Sequence, residues 1–143
     1  MRHAHSRPRG VADTVTESAA SRVDEIIDRR GFLLLDGGLA TELEGRGISL
    51  DSSLWSAAVL LDQPETIAAV HADYLEAGAD CLISASYQVS ESGLAAAGYD
   101  PGKADALLRQ SVELARVARE RAASSALVGA SVGPYGASLA EDR

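Results

Sequence analysis

Phe32-Leu33-Leu34-Leu35-Asp36-Gly37-Gly38 joins an unbroken apolar run to an Asp-Gly-Gly turn. A strand with one wet face would alternate apolar and polar residues, so this run predicts a strand covered on both faces, as in a parallel sheet. The pattern recurs downstream. Cys81-Leu82-Ile83-Ser84-Ala85-Ser86 runs into Tyr87-Gln88, and Ala126-Leu127-Val128-Gly129-Ala130-Ser131 runs into Gly133-Pro134-Tyr135-Gly136. Helical spacing fills the intervals. Pro64 stands at a first-turn position with Glu65 near the positive end of the dipole. Ile67, Val70, His71, Tyr74 and Leu75 then follow at helical spacing, and Gly78 closes the segment. From Lys103 to about Ala123, a stripe of Ala104, Leu107, Leu108, Leu114, Ala115 and Ala118 predicts a second helix. Asp105/Arg109 and Arg116/Glu120 sit at i,i+4 on it. Strand, helix, strand, helix, strand is the βαβ order of an α/β fold with about three parallel strands. The long interval after the first strand leaves room for a functional loop at residues 37 to 63. Trp55 within it reads either as a loop anchor or as a pocket-lining ring.

Upstream, Val23 to Arg30 predicts a short amphipathic helix with Val23, Ile26 and Ile27 on one side, ending at Gly31. The preceding residues have no apolar periodicity, so residues 1–22 read as a disordered leader. Its His3 and His5 form an H-x-H pair that reads as solvated tail rather than as a metal site. The 143 residues are 46% hydrophobic and 24% charged, the composition of one ordinary soluble domain with enough length for a core. A net charge of -8 opposes binding to nucleic acid or an anionic membrane, both of which need clustered Lys and Arg. No apolar run is long enough to span a bilayer and no secretory signal opens the chain, so the expectation is cytoplasmic, with a small-molecule or protein partner. A single cysteine, Cys81, excludes an intrachain disulfide and supplies at most one thiolate to a metal.

In parallel α/β sheets and barrels, ligands bind at the carboxyl ends of the strands. Asp36-Gly37-Gly38, Ser86-Tyr87-Gln88 and Ser131 to Gly136 each follow a strand pattern, so polar, Gly-rich segments converge on one face. Asp36 is the sharpest residue there. A carboxylate at the end of an apolar strand needs a partner to offset its desolvation, and an ammonium group would serve. Asp36 reads alternatively as the cap of a helix begun near Thr41, or as part of a turn with its two glycines. Tyr87 and Gln88 offer a ring face, a hydroxyl and an amide to a small polar ligand, and read equally as ordinary loop residues. The Gly-Pro-Tyr-Gly turn lacks the lysine pattern of a phosphate loop and has no Lys nearby, which argues against a nucleotide site. His71 has no second His or Cys at ligand spacing and reads as a helix-packing residue.

Leu33 to Glu44, Asp51 to Ala57, Ala85 to Gln88 and Ser131 to Ala137, in this order and spacing, resemble the homocysteine S-methyltransferase family. The likeness runs from about residue 24 to 140 and is closest to the branch using S-methylmethionine or S-adenosylmethionine. It implies a (β/α)8 TIM barrel, of which residues 23–143 would be the N-terminal portion, a partial homocysteine-binding domain truncated at its C-terminus. It also implies a zinc ion, held by three cysteine thiolates, that binds the homocysteine sulfur for attack on a methyl sulfonium, giving methionine. By the same resemblance, Asp36 binds the substrate amino group, and Gly37, Ser86, Tyr87 and Gln88 map onto the pocket around homocysteine. The family's zinc-binding cysteines come from a later strand and a Gly-Gly-Cys-Cys motif, which are absent here. Cys81 does not replace them: in an extended strand it stands roughly 16 Å from the Ser86 end. It reads as a small core residue. The expectation is therefore an inactive fragment with no catalytic or metal-binding residues of its own. Its alternatives are a non-catalytic homocysteine-binding or interaction module and one part of a split enzyme joined by a complementing chain. A barrel takes about 250 residues, so an open set of three strands would leave an edge and an apolar face uncovered.

Overall fold

The computed structural model describes residues 12–50, 54 and 56–133. They fall into two compact units, Met1–Leu33 and Leu34–Arg143. The first unit is built on one helix, α1 (Ala12–Arg30), followed by Phe32, over whose ring the Arg30 guanidinium lies at 5.1 Å. The helix starts well before Val23, inside the stretch read as a leader. From Ala12 to Arg30 no Gly or Pro interrupts the chain, and a run without either breaker can be helical without an apolar stripe. Ile26 is buried on this helix and Ile27 is exposed, so the apolar side is narrower than its sequence suggests. His3 and His5 lie outside the described residues.

The second unit holds a parallel sheet. β1 (Cys81–Ile83) pairs with β2 (Leu127–Gly129), Cys81 opposite Leu127 and Ile83 opposite Gly129. On the other side of β1, the first apolar run contributes a single parallel bridge, Leu35 to Cys81. The Asp36 N–H donates to the Cys81 carbonyl at 3.0 Å, and the Cys81 N–H to the Leu34 carbonyl at 3.2 Å. All three strand patterns thus lie side by side and parallel, with β1 in the middle. Two expectations are corrected. Leu34 and Leu35 are 40% and 51% exposed, so the first run is not covered on both faces. β1 is extended over three residues before the chain turns at residues 85–88, so the extended spacing assumed between Cys81 and Ser86 does not hold.

Helices occupy much of the interval read as a loop. α2 (Leu39–Gly45) and α3 (Ser56–Asp62) place Leu43 and Leu60 in the core, where neither has any exposure. Residues 51–53 and Trp55 lie outside the described set. α4 (Pro64–Glu76) begins at Pro64 and is followed by Gly78 at φ +94°, a left-handed conformation that favours glycine. α5 (Glu91–Ala96) is capped by Ser90, whose hydroxyl accepts the Gly93 N–H at 3.0 Å. After a short 3-10 turn, α6 (Ala104–Arg121) buries Ala104, Leu107, Ser111, Ala115 and Ala118. Ser111 takes the inner place expected for Leu108, its hydroxyl satisfied by the Leu108 carbonyl at 2.8 Å. Both foreseen i,i+4 pairs form on the solvent side of α6. Leu43, Leu60, Ile67, Val70, Leu94 and Leu107 join α2 to α6 in one core, and the Arg46–Asp73 ion pair ties the end of α2 to α4. No helix among the described residues is long and apolar enough to cross a membrane.

Candidate functional site

The carboxyl ends of the three parallel segments enclose a cavity of about 200 Å3, lined by Asp36, Gly37, Leu39, Ile83, Ser84, Ala85, Tyr87 and Ser131. Asp36 is carried there by its own bridge to β1. Its side chain is 8% exposed, and Oδ2 accepts the Ile83 N–H at 2.8 Å. Burial pushes the carboxyl above its ordinary range, and the Ile83 hydrogen bond opposes that rise. The helix-cap alternative is not what the structure adopts: the residue preceding α2 is Gly38, and no side chain caps this helix. Asp36 instead faces the cavity with one backbone donor, the arrangement of a carboxylate that can still accept from a ligand.

Gly37 lines the same cavity under Tyr74, since a Cβ built on it would lie 2.5 Å from the Tyr74 hydroxyl. Ser86 is buried and does not line the cavity. Its hydroxyl donates to the Ser131 carbonyl at 2.7 Å. Because that proton is committed, the Ser84 hydroxyl donates in the 2.7 Å contact with Ser86, while itself accepting the Ser131 N–H at 3.0 Å. The two serines therefore clamp the ends of β1 and β2 together, and the sequence reading missed Ser84. Tyr87 follows on the turn, 53% exposed, and lines the cavity; Gln88 is half-buried and is not part of the lining. Pro134, Tyr135 and Gly136 lie outside the described residues.

Gly133 holds the Tyr87 turn in place by its lack of a side chain. A Cβ there would overlap the Tyr87 backbone carbonyl and come within 3.0 Å of the ring. Gly133→Ala is accordingly expected to cost about 1–2 kcal/mol, the range of overpacking against backbone that cannot step aside. Gly45→Ala is the control, since a Cβ there meets nothing within 4 Å. Denaturant midpoints of the two variants should separate, with Gly45→Ala at or above the parent.

His71, read as a packing residue, is on α4 directly behind Asp36. Its Nδ1 lies 4.0 Å from Asp36 Oδ2, and neither ring nitrogen has a hydrogen-bond partner. Burial lowers the imidazole to about 4, so it is neutral at pH 7. Cys81 is buried beside the same carboxylate. Burial and then the Asp36 charge raise its thiol, opposed by a hydrogen bond from the Gly129 backbone. A protonated thiol is a poor metal ligand. Among the described residues, no group of three or more His, Cys, Asp or Glu side chains is placed to hold a metal ion. A larger groove of about 400 Å3 runs between α4 and α6, but Asp36 is not part of its lining.

The family model described as homocysteine S-methyltransferase matches residues 33–142. The homocysteine S-methyltransferase of Escherichia coli (strain K12) is 53% identical over 122 residues, covering 81% of this chain and 39% of its own length. A homocysteine S-methyltransferase of Bacillus subtilis (strain 168) is 44% identical over 128 residues, covering 83% of this chain and 41% of its own. Among solved structures, the E. coli homocysteine methyltransferase MmuM in its metallated form superposes with a TM-score of 0.75 at 51% identity. That match covers 83% of this chain and 43% of the other. The chain thus spans about two-fifths of the length of the relatives it matches.

Proposed function

Because this chain belongs to the homocysteine S-methyltransferase family, we propose that it supplies the amino-acid side of a homocysteine site for methyl transfer to the homocysteine sulfur. The observation that carries the reading is Asp36, a nearly buried carboxylate with a single backbone donor, facing a cavity at the strand ends. A substrate ammonium offsets the desolvation that raises this group. Gly37 lines the cavity while its missing side chain makes room for the Tyr74 ring, and Tyr87 walls the cavity. Ser86 and Gln88 act through the turn: the serine clamp fixes where Tyr87 stands, and Gln88 continues the loop. In this reading the donor is a methyl sulfonium of the S-methylmethionine or S-adenosylmethionine class, and the product is methionine.

The family resemblance assigns the sulfur to zinc held by three thiolates. The residues of this chain do not fit that metal: its one cysteine is buried with a raised thiol, and the described residues hold no three-ligand cluster. The half-exposed Leu34 and Leu35 favour completion of the sheet by further β/α units of a (β/α)8 barrel, whether on the same polypeptide or on a complementing chain. The 143 residues, given homocysteine, S-methylmethionine and zinc, should bind homocysteine without forming methionine. Turnover above the uncatalysed rate would overturn this division of labour.

A further inference from the structure

His71 is the one group around the cavity whose burial the proposed function leaves without a reason. It is 1% exposed with both ring nitrogens unpartnered. A neutral imidazole carries one donor and one acceptor, and burying both unmet is costly. Ile67 and Val70 are buried on the same helix, so aliphatic side chains suit this face. The neighbouring acceptor is Asp36 Oδ2, 4.0 Å from Nδ1, which receives only the Ile83 N–H. A carboxylate accepts several hydrogen bonds, and an approach of about 1 Å would bring Nδ1 into range.

We infer that His71 is a positioning residue for Asp36: its neutral imidazole turns an Nδ1–H to Oδ2, holding the carboxylate ionised and oriented to the cavity without cancelling its charge. The inference rests on the amino-group role proposed for Asp36. Burial supplies the neutrality, since an imidazole lowered to about 4 donates as a dipole at pH 7. An imidazolium would instead neutralise Asp36 and repel a substrate ammonium. The other titratable groups near the carboxylate are Tyr74 on α4, with Glu42 beyond it, and Cys81 on β1. Burial raises both Tyr74 and Cys81, so each stays neutral at pH 7 and sets no second negative charge beside Asp36.

The test follows the Asp36 carboxyl carbon by 13C NMR through a pH titration of the 143-residue chain, alongside homocysteine affinity, in the parent, His71→Leu and His71→Asn. Leucine matches the volume and has no donor, whereas asparagine places an amide N–H near the Nδ1 position. His71→Leu should keep a thermal midpoint at or above the parent, raise the Asp36 midpoint by about one pH unit, and bind homocysteine about tenfold more weakly. His71→Asn should restore most of both losses. His71→Met makes the same comparison if the branched side chain does not pack. An unchanged Asp36 midpoint in the donorless variant, or equal shifts in leucine and asparagine, would overturn the inference. A shifted midpoint in a parent chain that does not bind homocysteine would uphold the His71–Asp36 pair and overturn the proposed function instead.

Discussion

Asp36→Ala is expected to weaken homocysteine binding by about 1.5–3 kcal/mol, roughly ten- to a hundredfold in affinity, the scale of a lost charge-assisted hydrogen bond. The size follows from the setting. At 8% exposure the carboxylate is screened little by water, so its attraction for an ammonium is strong. Its ionisation, however, carries a desolvation cost that burial imposes before any ligand arrives. The net effect is therefore a few kcal/mol rather than the full Coulomb energy. Asp36→Asn separates charge from shape, because it retains an acceptor for the Ile83 N–H while removing the negative charge. Titration calorimetry should find both variants weakened, with denaturation midpoints near the parent for Asn. Parent-like affinity in both would return Asp36 to a purely local role at the end of its strand.

Acidification should destabilise the fold through His71. The imidazole is lowered in the folded state to about 4 from an ordinary 6.5, so the unfolded chain binds the extra proton in that window. The stability is fully present above pH 6.5 and is lost as pH falls toward 4. At about 1.4 kcal/mol per pH unit, the loss approaches about 3 kcal/mol by the bottom of the window. Asp36 acts in the opposite sense. Its folded carboxyl is raised, so it takes up a proton more readily than the unfolded chain just above pH 3.8 and offsets part of the loss there. Denaturant midpoints should accordingly fall between pH 7 and pH 5, and His71→Leu should flatten that fall. An equal fall in the parent and in His71→Leu would show that other groups carry the acid sensitivity.

Much of this arrangement can be read from residues whose local chemistry leaves few alternatives. The helix from Pro64 is legible because proline suits a first turn and Gly78 adopts a positive φ beyond its end. Asp36 is legible because a carboxylate terminating an apolar run has to be explained by something. The three parallel segments follow from their unbroken apolar patterns, yet pattern alone overstates them. Leu34 and Leu35 look like a strand buried on both faces, and the described residues cover neither fully, because burial depends on neighbours that the run itself does not encode. The short helices α3 and α5 escape periodicity, which needs more than six or seven residues to register. The His71–Asp36 approach and the Ser84–Ser86–Ser131 clamp escape it for another reason. Each joins groups brought together only when the strands align, so in the sequence His71 looks like a lone helix residue and Ser84 like part of a strand.

The central claim is that Asp36 receives the amino group of homocysteine. Calorimetric titration of the 143-residue chain with homocysteine and with 4-sulfanylbutanoate, which keeps the thiol and carboxylate but lacks the amino group, addresses it most directly. The account predicts that homocysteine binds and that the deaminated analogue binds at least about tenfold more weakly. Equal affinity for the two compounds, or a preference for the analogue, would contradict it.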